Sequence, residues 1–444
     1  MLKALKDITL SNFYRPSFWK GVLPTYAKQG FVVFTGDIIA KVMTFSISIL
    51  LLKLISIEEI GYYGVFLSIL AVVNQFTDLG LHQGVVRFYS LHNQTDAARS
   101  QSFIWLAFRC KWFIIPITSV ILYFAAPWIS MLLVHNDALE HGLRLLSLGL
   151  FGTGFFEFSI SVLQARQNFK LLTGLRITEA FAKLTYLLVT IYLGVFSLEQ
   201  VFISYTIIPL FVGTLGLFTS RVFSARIKYP WKELFAELYH FTKWLAVTYM
   251  AIMILQHVDM FMVSGLITDN SVDVGLYSAA RRLSIPLVVM AGSLTTLFFP
   301  KAMGITSHEQ MLVYVKQTLK ISIPVSVVSL TYLGVLHLVI PWFFVNITGS
   351  LPIINWLFAG YIFTILGNPV TILITAMGDT KVVAMINIIQ FIVTLILHYV
   401  FITQLGSIGA AISSFIIWVI AGTFSFWYIY NNQFKFDHLI KQEN

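Results

Sequence analysis

Charge is what this sequence is short of. Asp, Glu, Lys and Arg make up 11% of its 444 residues, where a soluble domain carries roughly 25%. A chain this long cannot cover its own surface in water with so few charges, and no polar stretch is long enough to form a separate soluble domain. Cysteine is scarcer still. Cys110 stands alone, which excludes an intrachain disulfide and leaves no thiolate metal site to expect. The ten histidines show no H-x-x-H or H-E-x-x-H spacing, and G-x-S-x-G, Walker and G-x-G-x-x-G patterns are missing. These absences argue against an enzyme and against a pump that burns ATP in this chain, and no cofactor or metal is expected. The short alternating segments of a membrane β-barrel are absent too.

What the sequence has instead is apolar length. Hydrophobic residues reach 57% and the mean hydropathy is +0.81. Lipid is therefore the main solvent, and helices must satisfy their own backbone hydrogen bonds. Apolar runs predict spans near 31–53, 62–88, 104–130, 143–164, 172–194 and 200–220, then near 243–267, 275–299, 317–343, 353–376, 382–404 and 408–430. The expected fold is an all-α integral membrane protein of about twelve transmembrane helices, in two six-helix lobes around a central cavity. The N-lobe is 31–220 and the C-lobe 243–430, joined by an amphipathic linker at 221–242 with Trp231, Leu234, Phe235 and Leu238 on one face. Residues 1–30 carry five Lys/Arg and no cleavable signal pattern. They read either as a basic segment along the membrane, with Phe13, Tyr14, Phe18 and Trp19 at the interface, or as a tail without fixed structure. Residues 431–444 form a second tail.

Charge in the connections supports the count. Odd connections are nearly free of Lys and Arg and carry Glu58, Glu59, Asp137, Glu140, Glu199, Asp269 and Asp273. Even connections carry Arg87 and Arg99, then Arg166, Lys170 and Arg176, then Arg221, Arg226, Lys228 and Lys232, then Lys301, Lys316 and Lys381. Positive loops stay in the cytoplasm, so both termini are expected there, in the inner membrane of a bacterium. The net charge of +9 thus follows membrane topology rather than nucleic-acid binding. The halves also repeat. Ile60-Gly-Tyr-Tyr-Gly64 opens helix 2 and Val274-Gly-Leu-Tyr-Ser278 opens helix 8; Ala165-Arg-Gln-Asn-Phe-Lys170 precedes helix 5 and Ala376-Met-Gly-Asp-Thr-Lys381 precedes helix 11.

Nine ionisable residues fall well inside the predicted spans: Asp37, Lys41, Asp78, Glu157, Glu179, Lys183, Asp259, Arg281 and Arg282. At roughly 3 kcal/mol each against lipid they would cost on the order of 25 kcal/mol. That exceeds a typical net stability of about 5–15 kcal/mol, so they must pair or face a hydrated interior. Asp37–Lys41 and Glu179–Lys183 are spaced i, i+4 with the acid first, the order that favours a helical ion pair. Lys41 and Lys183 could still line a cavity. Asp78, Glu157 and Asp259 have no Lys or Arg one turn away. They are candidates for coupling to H+ or Na+, or for pairing with a cation on another helix. Arg281 and Arg282 lack an acid within a turn and suit a phosphate, with snorkelling to the outer interface as the other reading. Pro116, Pro209, Pro286, Pro324 and Pro369 interrupt spans, and Gly80-x-x-x-Gly84 is a close-packing signal.

Leu54-Ile-Ser-Ile-Glu-Glu-Ile-Gly-Tyr-Tyr-Gly-Val-Phe66 with Phe76-Thr-Asp-Leu-Gly-Leu-His-Gln-Gly-Val-Val-Arg-Phe88 resembles the first hairpin of bacterial polysaccharide (O-antigen-type) flippases. Val274-Gly-Leu-Tyr-Ser-Ala-Ala-Arg-Arg-Leu283 and Ala376-Met-Gly-Asp-Thr-Lys381 resemble the start of their helix 8 and the turn before their helix 11. The family belongs to the multidrug/oligosaccharidyl-lipid/polysaccharide exporter superfamily. The resemblance implies transfer of undecaprenyl-pyrophosphate-linked oligosaccharide from the cytoplasmic to the outer leaflet by alternating access. It also implies a cationic cavity, which matches Arg281, Arg282 and Lys41, and a glycan polymerase and chain-length regulator as partners. Two alternatives remain open. One is a multidrug extrusion antiporter of the same superfamily. The other is a membrane glycan polymerase or acyltransferase, whose site would have to sit in the connection between Pro127 and Gly142.

Overall fold

A computed structural model describes residues 16–224, 229–268, 270–303, 305, 307–377 and 380–432. These form twelve α-helices: α1 Pro16–Leu54, α2 Ile57–Asp78, α3 Leu81–His92, α4 Ala97–Val134, α5 Glu140–Ala165, α6 Phe169–Tyr192, α7 Leu198–Thr219, α8 Trp231–Leu266, α9 Ser271–Met303, α10 His308–Phe343, α11 Leu351–Ala376 and α12 Thr380–Asn432. Short 3-10 turns at Val222–Ser224 and Val345–Ser350 follow α7 and α10.

Local chemistry sets the boundaries. Ser56 and Glu59 form a reciprocal cap before α2, in which each backbone N–H donates to the other's side chain at 3.2 and 2.8 Å. Asn168, Ser197 and Ser307 cap α6, α7 and α10 by accepting from Leu171, Gln200 and Gln310. Pro209, Pro324 and Pro369 sit inside helices without ending them.

Two spans differ from the apolar runs. The expected continuous span at 62–88 breaks after Asp78, where Leu79 and Gly80 adopt φ of 47° and 75°, so α2 and α3 are two pieces of one crossing. Gly80 is needed there for its positive φ and for space, since a Cβ would fall 3.2 Å from Leu245 Cβ of α8. A Cβ on Gly84 would fall 2.6 Å from Leu238. The small-residue signal is thus a helix crossing against α8. At the other extreme, α12 is two crossings. His398 and Ser413 hydrogen-bond at 3.3 Å, although 15 residues of straight helix would hold them about 22 Å apart. The chain turns back at Gly406, which has φ 62° and ψ −142°. Asp273 of α9 secures that turn by accepting from the Ser407 backbone N–H at 2.9 Å and from its hydroxyl. With those adjustments the helices make twelve crossings.

Nine helical stretches are long and apolar enough to cross a membrane on length and composition. Turning α12 back on itself and adding α1 and α6 completes the set. The last two carry Asp37, Lys41, Arg176, Glu179 and Lys183, whose charges depress their hydropathy.

The chain divides into two compact units. Unit 1 takes the chain up to Ile47, then Val73–Phe124 and Gly142–Met250; unit 2 takes Ser48–Val72, Ala125–His141 and the chain from Ala251 on. These units cut across the sequence halves, and the reason lies in the repeat. Within unit 2 the two copies of the repeated motif pack on each other. A Cβ on Gly61 would fall 3.1 Å from Gly275 N, and one on Gly275 only 1.9 Å from Ile57 O. Ser278 Oγ donates to Ile60 O at 2.8 Å.

Unit 1 has a core in which Leu81, Val85 and Phe88 of α3 meet Phe103 and Ala107 of α4 and Leu234 and Leu238 of α8. From Trp231 on, the expected amphipathic linker is therefore already a helix continuous with span 7, with Leu234 and Leu238 buried and Trp231 and Phe235 exposed; residues 225–228 lie outside the described residues. On the same side Tyr229 donates to Asp96, which holds that carboxyl below its usual range, and Arg99 pairs with Glu237. The basic N-terminal segment and the tail fall partly outside the described residues, as does the Gly378-Asp379 turn. From Pro16 the chain is already in α1.

Candidate functional site

Ionisable side chains in mid-span gather into one cluster in each unit. In unit 1 the α2–α3 break frees backbone groups, and Asp78 stands at that break, with the His82 N–H 3.4 Å from its Oδ2. Its other oxygen lies 3.0 Å from Lys111 Nζ of α4, whose side chain is 1% exposed. Asp78 thus has a cation on another helix. His82 Nδ1 and Ser161 Oγ of α5 hydrogen-bond at 2.6 Å. Asn74 Oδ1 accepts from Thr153 at 2.8 Å, one turn before the break.

The expected Asp37–Lys41 pair does not form. Asp37 accepts instead from Arg176 of α6 at 2.6 Å. A guanidinium reaching across from another helix offers a short, charge-assisted bond, and Lys41 in the same helix makes none to Asp37. Lys41 is exposed and has no ion pair among the described residues. The other helical pair does form: Glu179 and Lys183 are in contact, and the Lys183 ammonium also lies 4.1 Å from the centre of the Tyr205 ring.

Glu157 of α5 is exposed and makes no side-chain hydrogen bond or ion pair among the described residues. The charges of Lys111, Arg176, Asp78 and Glu179 all act on it.

In unit 2, Asp259 of α8 lies 3.3 Å from Arg281 Nε of α9 and accepts from the Tyr277 hydroxyl at 2.8 Å. Arg281 also donates to Gln256 O at 3.0 Å. Asp259 and Arg281, each without an opposite charge one turn away on its own helix, are therefore partners of one another. Arg282 turns away and places its guanidinium 5.0 Å from the centre of the Tyr63 ring. Tyr361 of α11 and His398 of α12 stand within electrostatic range of Asp259. His398 is 2% exposed, and its Nε2 has no hydrogen-bond partner among the described residues.

Of the nine expected residues, then, the structure collects Asp37, Lys41, Asp78, Glu157, Glu179 and Lys183 in unit 1 and Asp259, Arg281 and Arg282 in unit 2. Sequence reasoning missed Lys111 and Arg176 as partners: Arg176 counts there among the connection charges, and Lys111 lies near the start of the predicted third span. Lys111 was the more legible of the two, since it interrupts the apolar stretch from Leu106 to Ala126. The connection between Pro127 and Gly142, the roomiest on sequence grounds, shrinks to residues 135–139 because α4 runs on to Val134. Asn136 packs it down by donating to the Tyr62 hydroxyl at 2.9 Å and accepting from Ser130 at 2.7 Å.

Comparison with known proteins gives a consistent family. The model of a family described as "polysaccharide biosynthesis protein" matches residues 50–331. A putative O-antigen transporter of Shigella flexneri is 27% identical over 184 residues, which cover 40% of this chain and 43% of that protein. The matched region therefore spans less than half the length of that relative. Among solved structures, a lipid II flippase in an inward-closed conformation shares the fold at a TM-score of 0.73 and 16% identity, over 90% of this chain and 87% of that one. An inward-facing multidrug resistance transporter of the MATE family, in the MOP superfamily, does so at 0.69 and 14%, over 89% and 94%.

Proposed function

The chain belongs to the polysaccharide biosynthesis protein family, and from that premise we propose that it is a flippase for a polyprenyl-pyrophosphate-linked oligosaccharide. The unit moves from the cytoplasmic to the outer leaflet by alternating access, to feed O-antigen, capsule or another exported glycan. The observation that carries this reading is the state of the cations. Lys41 is exposed on a spanning helix with no ion pair among the described residues, and Arg281 and Arg282 set two guanidinium groups side by side in α9 near Asp259. Positive charge at mid-membrane is costly unless it meets water or an anion, and a pyrophosphate is such an anion. Arg281 and Arg282 are the principal contacts in this reading, with Lys41 and Lys183 as further ones.

Coupling to H+ or Na+ falls to Glu157. Asp78 and Asp259 have cationic partners at 3.0 and 3.3 Å, so their charge already has a structural use. Glu157 alone among the three acids has none among the described residues, which leaves its carboxylate available to take up and release a cation. The packed connection at 135–139 offers no room for a polymerase or acyltransferase site, which supports transport over chemistry.

Deletion of the gene followed by localisation of the lipid-linked oligosaccharides tests the proposal. Complete units trapped on the cytoplasmic leaflet, with surface polymer lost, are expected. Units accumulating on the outer leaflet would sink it in favour of a polymerase or ligase. Unchanged glycans with new drug sensitivity would sink it in favour of an extruder.

A further inference from the structure

Unit 1 also holds a cavity of about 400 Å³ that neither charged cluster uses. Trp105, Phe108 and Trp112 of α4, Phe155 of α5 and Phe218 of α7 line it, and Phe223 after α7 closes one end. The rings form a continuous trough. Trp112 and Phe155 stack with centroids 5.9 Å apart and planes 2° from parallel, and Phe223 meets Phe108 edge-on at 5.7 Å. Trp112 is 53% exposed and Phe218 65%. On a spanning helix such rings face lipid.

Among the described residues one charged side chain lines the trough: Arg109. It is exposed, its guanidinium lies 5.6 Å from the Trp105 ring, and no carboxylate pairs with it among the described residues. Its depth follows from helix length. The 38 residues of α4 extend about 57 Å, against a hydrocarbon core of about 30 Å that takes about 20 residues. Counting back about 20 residues from Val134, the core ends near Ile115, so Arg109, about 9 Å further along the helix, stands at headgroup level on the face that carries the basic connections. A guanidinium among headgroups, over an aromatic trough open to acyl chains, has both halves of a lipid site.

We propose that this groove binds one anionic phospholipid, with its phosphate on Arg109 and one acyl chain along the trough. Charge complementarity selects the occupant. The guanidinium fork matches two phosphate oxygens, and among the described residues the lining offers no carboxylate to receive the ammonium group of a zwitterionic headgroup. The bound chain would bridge α4, α5 and α7. This inference concerns the outer surface of unit 1 and stands apart from the transported substrate.

The test is native mass spectrometry of the purified full chain titrated with phosphatidylglycerol or phosphatidylcholine, paired with thermal unfolding. One phosphatidylglycerol should be retained about tenfold more tightly than phosphatidylcholine, a difference of about 1.4 kcal/mol, and should raise the unfolding temperature. Arg109→Ala should bring the two lipids level. Thr214→Trp, which fills the groove and keeps Arg109, should abolish retention of both. Because Arg109 and Thr214 are exposed, the lipid-free unfolding temperature of each variant should match the parent. Equal retention of the two lipids by the parent, or undiminished phosphatidylglycerol on both variants, would overturn the proposal. So would displacement of phosphatidylglycerol by an equal amount of polyprenyl pyrophosphate, which would make the groove a stop for the transported lipid.

Discussion

Unit 1 holds Asp37, Asp78, Glu157 and Glu179 on its spanning helices against Lys41, Lys111, Arg176 and Lys183, whereas unit 2 sets Asp259 beside Arg281, with Arg282 next to it in α9. In unit 1 three acids are locked to three bases, two of the pairs between different helices, and one acid and one base are left over. In unit 2 the expected charged residues are one acid and two bases, and tyrosines and histidines stand around Asp259. The difference separates two uses of buried charge. A balanced pair between helices fixes geometry and gives a ligand little to hold. An unbalanced group keeps a net field that a ligand of opposite sign can answer.

The largest expected effect comes from removing that field. Arg281→Ala with Arg282→Ala should abolish surface polymer while the protein still reaches the membrane at normal abundance, read by immunoblot of membranes alongside polymer staining. Lys111→Ala with Arg176→Ala is the matched experiment in unit 1, and there the protein itself should be lost. If both doubles behave alike, the contrast between the units is wrong. Normal polymer from the unit 2 double would remove the phosphate assignment.

Next in size is the Asp78–Lys111 pair. With Lys111 1% exposed, Asp78→Leu strands a buried ammonium and should cost about 3–5 kcal/mol. Adding Lys111→Met should restore most of that loss, since a buried ion pair replaced by apolar groups of similar volume is often neutral or better. Thermal unfolding in detergent of the single and double variants gives the answer. A double variant as unstable as the single would mean that the pair does more than hold α2, α3 and α4 in register.

Much of this was legible beforehand, and the exceptions share a cause. Twelve crossings followed from apolar length and alternating loop charge, and Glu179–Lys183 followed from helical spacing, because both depend on the chain near each residue. Asp37–Arg176, Asp78–Lys111 and Asp259–Arg281 did not, because they join helices separated by between 22 and 139 positions, and only the fold sets which faces meet. The break after Asp78 was hidden by Leu79, a residue with no preference for a positive φ. The repeat carried more than it disclosed. Its glycines read as helix openings, yet Gly61 and Gly275 are small because the two copies touch.

Glu157 is where the comparison is sharpest and the expected change smallest. It sits in the balanced unit but outside the balance, so Glu157→Gln should leave the unfolding temperature nearly unchanged, within the roughly 0.5 kcal/mol typical of substitutions that break no contact. Transport is the discriminating readout. In vesicles, flipping by the parent should respond to an imposed pH or sodium gradient, whereas the Gln variant should respond to neither and run at its ungraded rate, about tenfold slower in the coupled condition. Glutamine keeps the shape and the hydrogen-bonding reach and removes only the exchangeable charge, so a lost gradient response with retained stability isolates coupling from folding. A variant that still follows the gradient would return the role to Asp78 or Asp259. Their ion pairs would then have to open during the cycle, and the distinction between balanced and unbalanced charge would hold for one conformation only.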